Sequence, residues 1–300
     1  MPSTLYVKDC LHRPDDLRAL RVVYIQNMVN ISGVFRVAGC DLRYWDHPGE
    51  GIPVVFSHGA GADHVMFQAQ ADHLAGLGHR VITWDMRGHG ASRPTGAPFT
   101  AARAIADLLA LLEHLRLDRV VLAGQSLGGN LSQAVVRLHP EIALGLIVIG
   151  SAWNAAPLSR LERLLLRTAA PGLSMIPAGR LPAVLARASA ITEGAREDAR
   201  RAFSQLTKRE FLDVWRATTD LLDPNPAYRT PVPLCLIRGE LDRTGNIASG
   251  MPQWARVEGI DEIVIPGAGH IANQDAPDTV NAAIESFLLG AAAREVRNGE

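Results

Sequence analysis

Apolar positions along this chain follow two alternating rhythms. Short, nearly continuous apolar runs at residues 52–56, 80–84, 120–124, 144–149, 234–237 and 262–265 predict strands buried on both faces; a strand covered on one face alone would show every second residue polar. Between the runs lie stretches of helical spacing, at 67–77, closed by Gly78, and at 101–115, where Ile105, Leu108, Leu109, Leu112 and Leu115 share one face. Another helical pattern follows the run at 120–124, and a closing helix is expected from about 277 to 289. Strand alternating with helix is the pattern of a parallel sheet covered on both sides. Ahead of it, residues 34–37 and 41–45 alternate apolar with polar around Ala38-Gly39-Cys40, which predicts a hairpin at an antiparallel edge.

Residues 151–228 break the rhythm. They carry helical segments around 158–168, 181–188, 196–206 and 210–222 with no convincing strand among them, and Pro224, Pro226, Pro231 and Pro233 mark the return to the sheet. The division expected is a core of residues 33–150 and 229–290, a helical insertion at 151–228 and a tail at 291–300. Residues 1–32 form an N-terminal extension in which 17–29 reads equally as a short helix or a strand. Nothing in it resembles chemistry, Met28 is a possible start, and the first 27 residues are expected to be dispensable.

Composition narrows the class. At 300 residues, with 47% hydrophobic and 20% charged content, the chain can bury one large α/β core. A net charge of −1 gives no general attraction to nucleic acid or to an anionic membrane. The arginines of the insertion are interleaved with Glu162, Glu193, Glu197, Asp198, Glu210 and Asp213, a solvated face rather than a nucleic-acid patch. Cys10, Cys40 and Cys235 are odd in number and far apart, which fits a reducing compartment. No apolar run reaches the roughly 18 residues of a membrane span, and Lys8, Asp9, Arg13, Asp15 and Asp16 stand where a signal peptide needs an apolar core. A cytoplasmic protein with a small-molecule partner is expected.

Candidate chemistry sits where the strands end. The run at 120–124 passes into Gly124-Gln125-Ser126-Leu127-Gly128-Gly129, a Gly-x-Ser-x-Gly turn between strand and helix. There Ser126 is held in a strained conformation, and Gly124 and Gly128 remove the Cβ atoms that would collide. A serine hydroxyl becomes a nucleophile only when an imidazole accepts its proton and a carboxylate orients that imidazole. His270 and Asp242 end later strands and supply one of each, with Glu240 two residues from Asp242 as the other carboxylate. Two donors are needed for the oxyanion: the Leu127 N–H and the Ala60 N–H, the latter in the turn His58-Gly59-Ala60-Gly61. His58, His89 and Asp85 read as loop-ordering residues and Cys235 as a core thiol. Trp153 and Trp215, with Phe203 and Phe211, are candidates for the pocket wall, although packing inside the insertion accounts for them equally.

With these residues in view the chain resembles the α/β-hydrolase superfamily, in its capped form that includes esterases, lactonases, haloperoxidase-like enzymes and carbon–carbon bond hydrolases. The resemblance spans about residues 33–289. It rests on His58-Gly59-Ala60-Gly61, on Asp85-x-Arg87-Gly88-His89-Gly90-x-Ser92, on the turn bearing Ser126, and on Asp242 and His270 following in the order Ser, Asp, His. Gln125 departs from the histidine common in relatives. The resemblance implies a mostly parallel eight-stranded sheet with helices on both faces and a helical cap inserted after the sixth strand. It also implies hydrolysis of a small carboxylic ester or lactone through an acyl-enzyme, without a cofactor or metal. A serine at the elbow disfavours dehalogenase and epoxide hydrolase chemistry, which uses aspartate there. Carbon–carbon bond hydrolysis, perhydrolysis, an aminopeptidase and a ligand receptor of the same fold stay open, as does the oligomeric state.

Overall fold

The computed structural model describes residues 31–158 and 172–298. The expectations for residues 1–30, and for a helix around 158–168 from residue 159 on, lie outside the described residues. The chain begins in a hairpin, β1 (Ile31–Val37) and β2 (Cys40–His47), whose turn takes Gly39 to φ +74°. Then follow β3 (Gly51–Ser57), α1 (Gln68–Gly76), β4 (His79–Asp85), α2 (Ala101–His114), β5 (Val120–Gln125), α3 (Leu127–Leu138) and β6 (Ala143–Ile149). Helices α4 (Leu181–Ser189), α5 (Glu193–Phe203) and α6 (Lys208–Asp220) come between β6 and β7 (Leu234–Gly239). The chain closes with α7 (Ile247–Glu258), β8 (Ile263–Ile265), the single turn α8 (Ala272–Asp275) and α9 (Pro277–Asn298).

The eight strands form one sheet in the order β1-β2-β4-β3-β5-β6-β7-β8. β1 pairs antiparallel with β2 and β2 antiparallel with β4, and every other neighbour is parallel. Alternate residues of the buried strands feed two apolar layers, as the pleat requires. One holds Val55, Ile82, Trp84 and Leu122 with Leu108 of α2, Leu131 of α3 and Trp254 of α7. The other holds Val54, Phe56, Val81 and Val121 with Leu74 of α1 and Ile284 of α9. β5 is buried at every residue, with β3 on one side and β6 on the other. The residue that follows it is therefore delivered to the middle of the sheet edge.

Two elements differ from the sequence reading. Helix α7 was not anticipated, because Gly250 and Pro252 interrupt its apolar period and Pro252 removes a helical N–H. Its Ile247, Met251, Trp254 and Ala255 nevertheless lie on one buried face, and packing against the sheet outweighs the lost bond. The closing helix continues past residue 289 to Asn298. No helix among the described residues is long and apolar enough to cross a membrane.

Candidate active site

The turn after β5 is built by close backbone approach. A Cβ on Gly124 would lie 2.1 Å from the carbonyl carbon of Gly128, and one on Gly128 would lie 1.8 Å from the Ser57 carbonyl oxygen. Without those side chains α3 starts directly against β3 and β5, and Ser126 is pushed to the tip. Its backbone has φ 51° and ψ −116°, a region that costs about 1–3 kcal/mol outside glycine. The strain is held by bonds on both sides: Ser126 N donates to Ile149 O at 3.0 Å, and Ser126 O accepts from Asn130 N at 2.9 Å and from Ser151 Oγ at 2.8 Å. Leu127 is the first residue of α3, so its N–H has no intrahelical acceptor.

His270 and Asp242 meet beyond the ends of β8 and β7. His270 Nδ1 donates to Asp242 Oδ2 at 3.0 Å, and Asp242 Oδ1 accepts from Thr244 N at 2.8 Å. Asp242 is fully buried. Burial works to raise its carboxyl, but the bond to His270, that residue's charge and the Thr244 N–H together hold it below the ordinary carboxylate range. Glu240, the alternative carboxylate, points elsewhere and accepts from Gly267 N at 2.9 Å. Ser126, His270, Gly59 and Ala60 all border one cavity of about 470 Å³. Among the described residues no hydrogen bond joins the Ser126 hydroxyl to His270, and none occupies the Ala60 N–H.

Gln125, the departure noted in the sequence, ties the site together. It is 1% exposed, its Nε2 donates to His270 O at 3.0 Å, and its Oε1 would lie 2.2 Å from a Cβ on Gly59. One side chain thus spans the histidine loop and the Gly59 turn. His58 fixes that turn from behind, donating from Nδ1 to Gly59 O at 2.8 Å and accepting Met86 N–H on Nε2 at 3.0 Å. Phe203, Phe211 and Trp215 border the cavity, with the insertion supplying its apolar wall. Trp153 does not, which corrects the sequence reading. Asn154 N donates to Gln133 Oε1, and Asn130 and Asn154 bond each other, which turns residue 153 away to stack on Trp254 at 6.2 Å.

Sequence reasoning missed Asp63 and Asp275, which fasten the insertion to the two loops that matter. Asp63 accepts from Arg201 Nη1 and Nη2 at 2.7 and 2.8 Å and from Gln205 at 3.0 Å. Asp275 accepts from Ile191 N, Thr192 N and Gly269 N, the last beside His270. No local motif announces either residue, since each partner is remote in sequence.

The buried histidines predict an acid sensitivity. Burial, with the neighbouring His58 second, pushes His89 down to about 3, and burial also lowers His58. An unfolded histidine binds its proton near pH 6.5. Below that pH the unfolded chain therefore holds more protons than the native one, and stability is full above it and falls as pH drops toward about 3. The lowered Asp63 and Asp242 act in a separate window, their stabilisation being lost only below the ordinary carboxylate pKa of about 3.9. Urea midpoints are expected to fall between about pH 7 and about pH 5, with a shallower slope for His89→Gln; an unchanged slope would contradict a neutral buried His89.

The family described as "Alpha/beta hydrolase family" matches residues 54–283. The chain is 24% identical over 274 residues to the 2-hydroxy-6-oxo-6-(2'-aminophenyl)hexa-2,4-dienoic acid hydrolase of Metapseudomonas resinovorans, covering 88% of this chain and 91% of that one. It is 25% identical over 242 residues to 3-oxoadipate enol-lactonase 2 of Acinetobacter baylyi, covering 78% and 88%. Among solved structures, a thermophilic esterase from Thermogutta terrifontis superposes with a TM-score of 0.71 at 25% identity, covering 88% of this chain and 99% of that chain.

Proposed function

The chain belongs to the alpha/beta hydrolase family, and from that premise we propose that it is a serine hydrolase cleaving a small carboxylic ester or lactone through an acyl-enzyme. The observation that carries this reading is the His270–Asp242 bond beside a cavity that also receives Ser126 from a strained turn. With Nδ1 occupied by Asp242, the other ring nitrogen of His270 is the base. It takes the Ser126 proton as Oγ attacks the carbonyl carbon, a contact that tightens once substrate is bound. Negative charge passes to the carbonyl oxygen, where the Leu127 and Ala60 N–H groups receive it. Collapse breaks the carbon–oxygen bond, and the alkoxide leaves with the proton from His270. Water then enters, gives a proton to His270 and attacks the acyl carbon, and Ser126 recovers its proton as the acid departs.

The described residues of the insertion, 151–158 and 172–228, act in this reading as a cap that covers the strand ends and excludes water, held by Arg201–Asp63 and by Asp275. Among the described residues no carboxylate borders the cavity: Glu193, Glu197, Glu210 and Asp213 all stand away from it, which disfavours an aminopeptidase, while Glu162 lies outside the described residues. The experiment is labelling with a fluorophosphonate, followed by profiling on ester, lactone and aminoacyl substrates. Covalent modification is expected at Ser126, with turnover of esters or lactones and none of aminoacyl compounds. A protein that binds small ligands yet neither labels nor hydrolyses any of them would make the receptor reading the correct one.

A further inference from the structure

Asn130, Gln125, Thr218 and Thr219 all border the cavity; the side-chain donors of Asn130, Thr218 and Thr219 are all committed elsewhere, and Gln125 commits one of its two Nε2 hydrogens. Asn130 Nδ2 gives its two hydrogens to Ala152 O at 3.0 Å and Asn154 Oδ1 at 2.5 Å. Gln125 Nε2 donates to His270 O at 3.0 Å, Thr218 Oγ1 to Val214 O at 3.0 Å, and Thr219 Oγ1 to Arg216 O at 2.7 Å. These bonds settle which way the amides point, because turning the Asn130 amide over would set its oxygen against two other oxygens. Asn130 is 2% exposed and Gln125 1%, and neither Asn130 Oδ1 nor Gln125 Oε1 accepts a hydrogen bond among the described residues. Neither belongs to the fully buried atoms that lack a partner, so the space these oxygens face is the cavity.

Buried polar atoms in native proteins find partners, and an acceptor left open at the edge of a binding cavity implies a donor on what binds there. Helix α3, which carries Asn130, packs against α6, which carries Thr218 and Thr219, so acceptors reach the cavity from both elements. Among the described residues no carboxylate borders it, and Arg243 is a cation on its wall. A cationic donor is thereby disfavoured and a neutral one favoured. We propose that the substrate carries a hydroxyl on the part that lies against α3, and that Asn130 Oδ1 receives it, with Thr218 as a second acceptor from the cap.

The proposal rests on the reading of this cavity as the substrate site, and its test separates the two. Matched pairs differing by one hydroxyl serve as probes: ethyl butyrate against ethyl 3-hydroxybutyrate, ethyl hexanoate against ethyl 6-hydroxyhexanoate, and ethyl against 2-hydroxyethyl butyrate. A site built to bond a hydroxyl rejects the analogue lacking it. One pair or more should favour the hydroxyl in kcat/KM by about 10- to 100-fold, because the analogue leaves a desolvated acceptor unpaired. Asn130→Leu should bring that ratio close to one, and Thr218→Val, which leaves the braces to Ala152 and Asn154 intact, should lower it. The preference of the unaltered protein is itself a readout, so a variant that does not fold leaves the test standing. Calorimetric binding of the same pairs to Ser126→Ala supplies an arm free of turnover. A binding preference without hydrolysis would overturn the serine-hydrolase reading and keep the hydroxyl site, whereas equal kcat/KM and equal affinity within every pair would overturn the hydroxyl site alone.

Discussion

Ser126→Ala is expected to lower kcat/KM by a factor on the order of 10³ or more with the fold intact, and His270→Ala by a similar factor. Nucleophile and base act as one unit, so the double variant should be scarcely worse than either single change. Asp242→Asn should be severe as well. The amide keeps the shape, but its N–H would face His270 Nδ1 and favour the wrong tautomer, and it would leave a buried Thr244 N–H bond weakened. Glu240→Gln should be mild, since Glu240 is exposed and serves Gly267 N, not His270. Steady-state kinetics beside a thermal melt decides the matter. If Ser126→Ala or His270→Ala retains turnover within tenfold of the parent, the triad assignment is wrong.

Arg87→Met is expected to cause the largest loss of stability of any change remote from Ser126. Arg87 Nε and Nη2 hold Asp107 of α2 at 2.6 and 2.5 Å, and both side chains are almost fully buried. Removing one partner strands the other charge in the core, which costs about 3–5 kcal/mol. Replacing both, as Arg87→Met with Asp107→Leu, should recover much of the loss because no unpaired charge remains. Denaturant unfolding of the two variants measures this, and a double variant no better than Arg87→Met would mean that Arg87 acts chiefly through its other bond, to Ala38 O.

The sheet was legible in the sequence because its strands are buried on both faces and therefore nearly continuous in apolar residues. The turn at Ser126 was legible for a related reason: Gly124 and Gly128 are demanded by backbone contacts of 2.1 and 1.8 Å that no other residue tolerates. Such constraints act on residues close along the chain or on a whole strand, and they leave a local mark. The choice between Asp242 and Glu240 was different. Two carboxylates two residues apart differ only in which face of the β7 exit they occupy, and the bond to His270 falls to Asp242 through a loop joined 28 positions later.

Trp153, α7, Asp63 and Asp275 were decided by tertiary structure alone. Trp153 looked like a wall of the cavity from its place after β6, and it is turned inward by Asn130, Gln133 and Asn154, whose amide bonds form only once α3 and the β6 exit are packed. Helix α7 forms against its own sequence signals because its apolar face has a sheet to cover. Asp63 meets Arg201 across 138 positions, and Asp275 meets Ile191 across 84. The sequence by itself determined the strand ladder, the order Ser126, Asp242, His270 along it and the backbone shape of the turn, since burial and close approach constrain residue type position by position. Only the tertiary structure decided which carboxylate faces His270, what walls the cavity and what fastens the insertion above it, because those depend on pairs whose members say nothing about each other until the chain has folded.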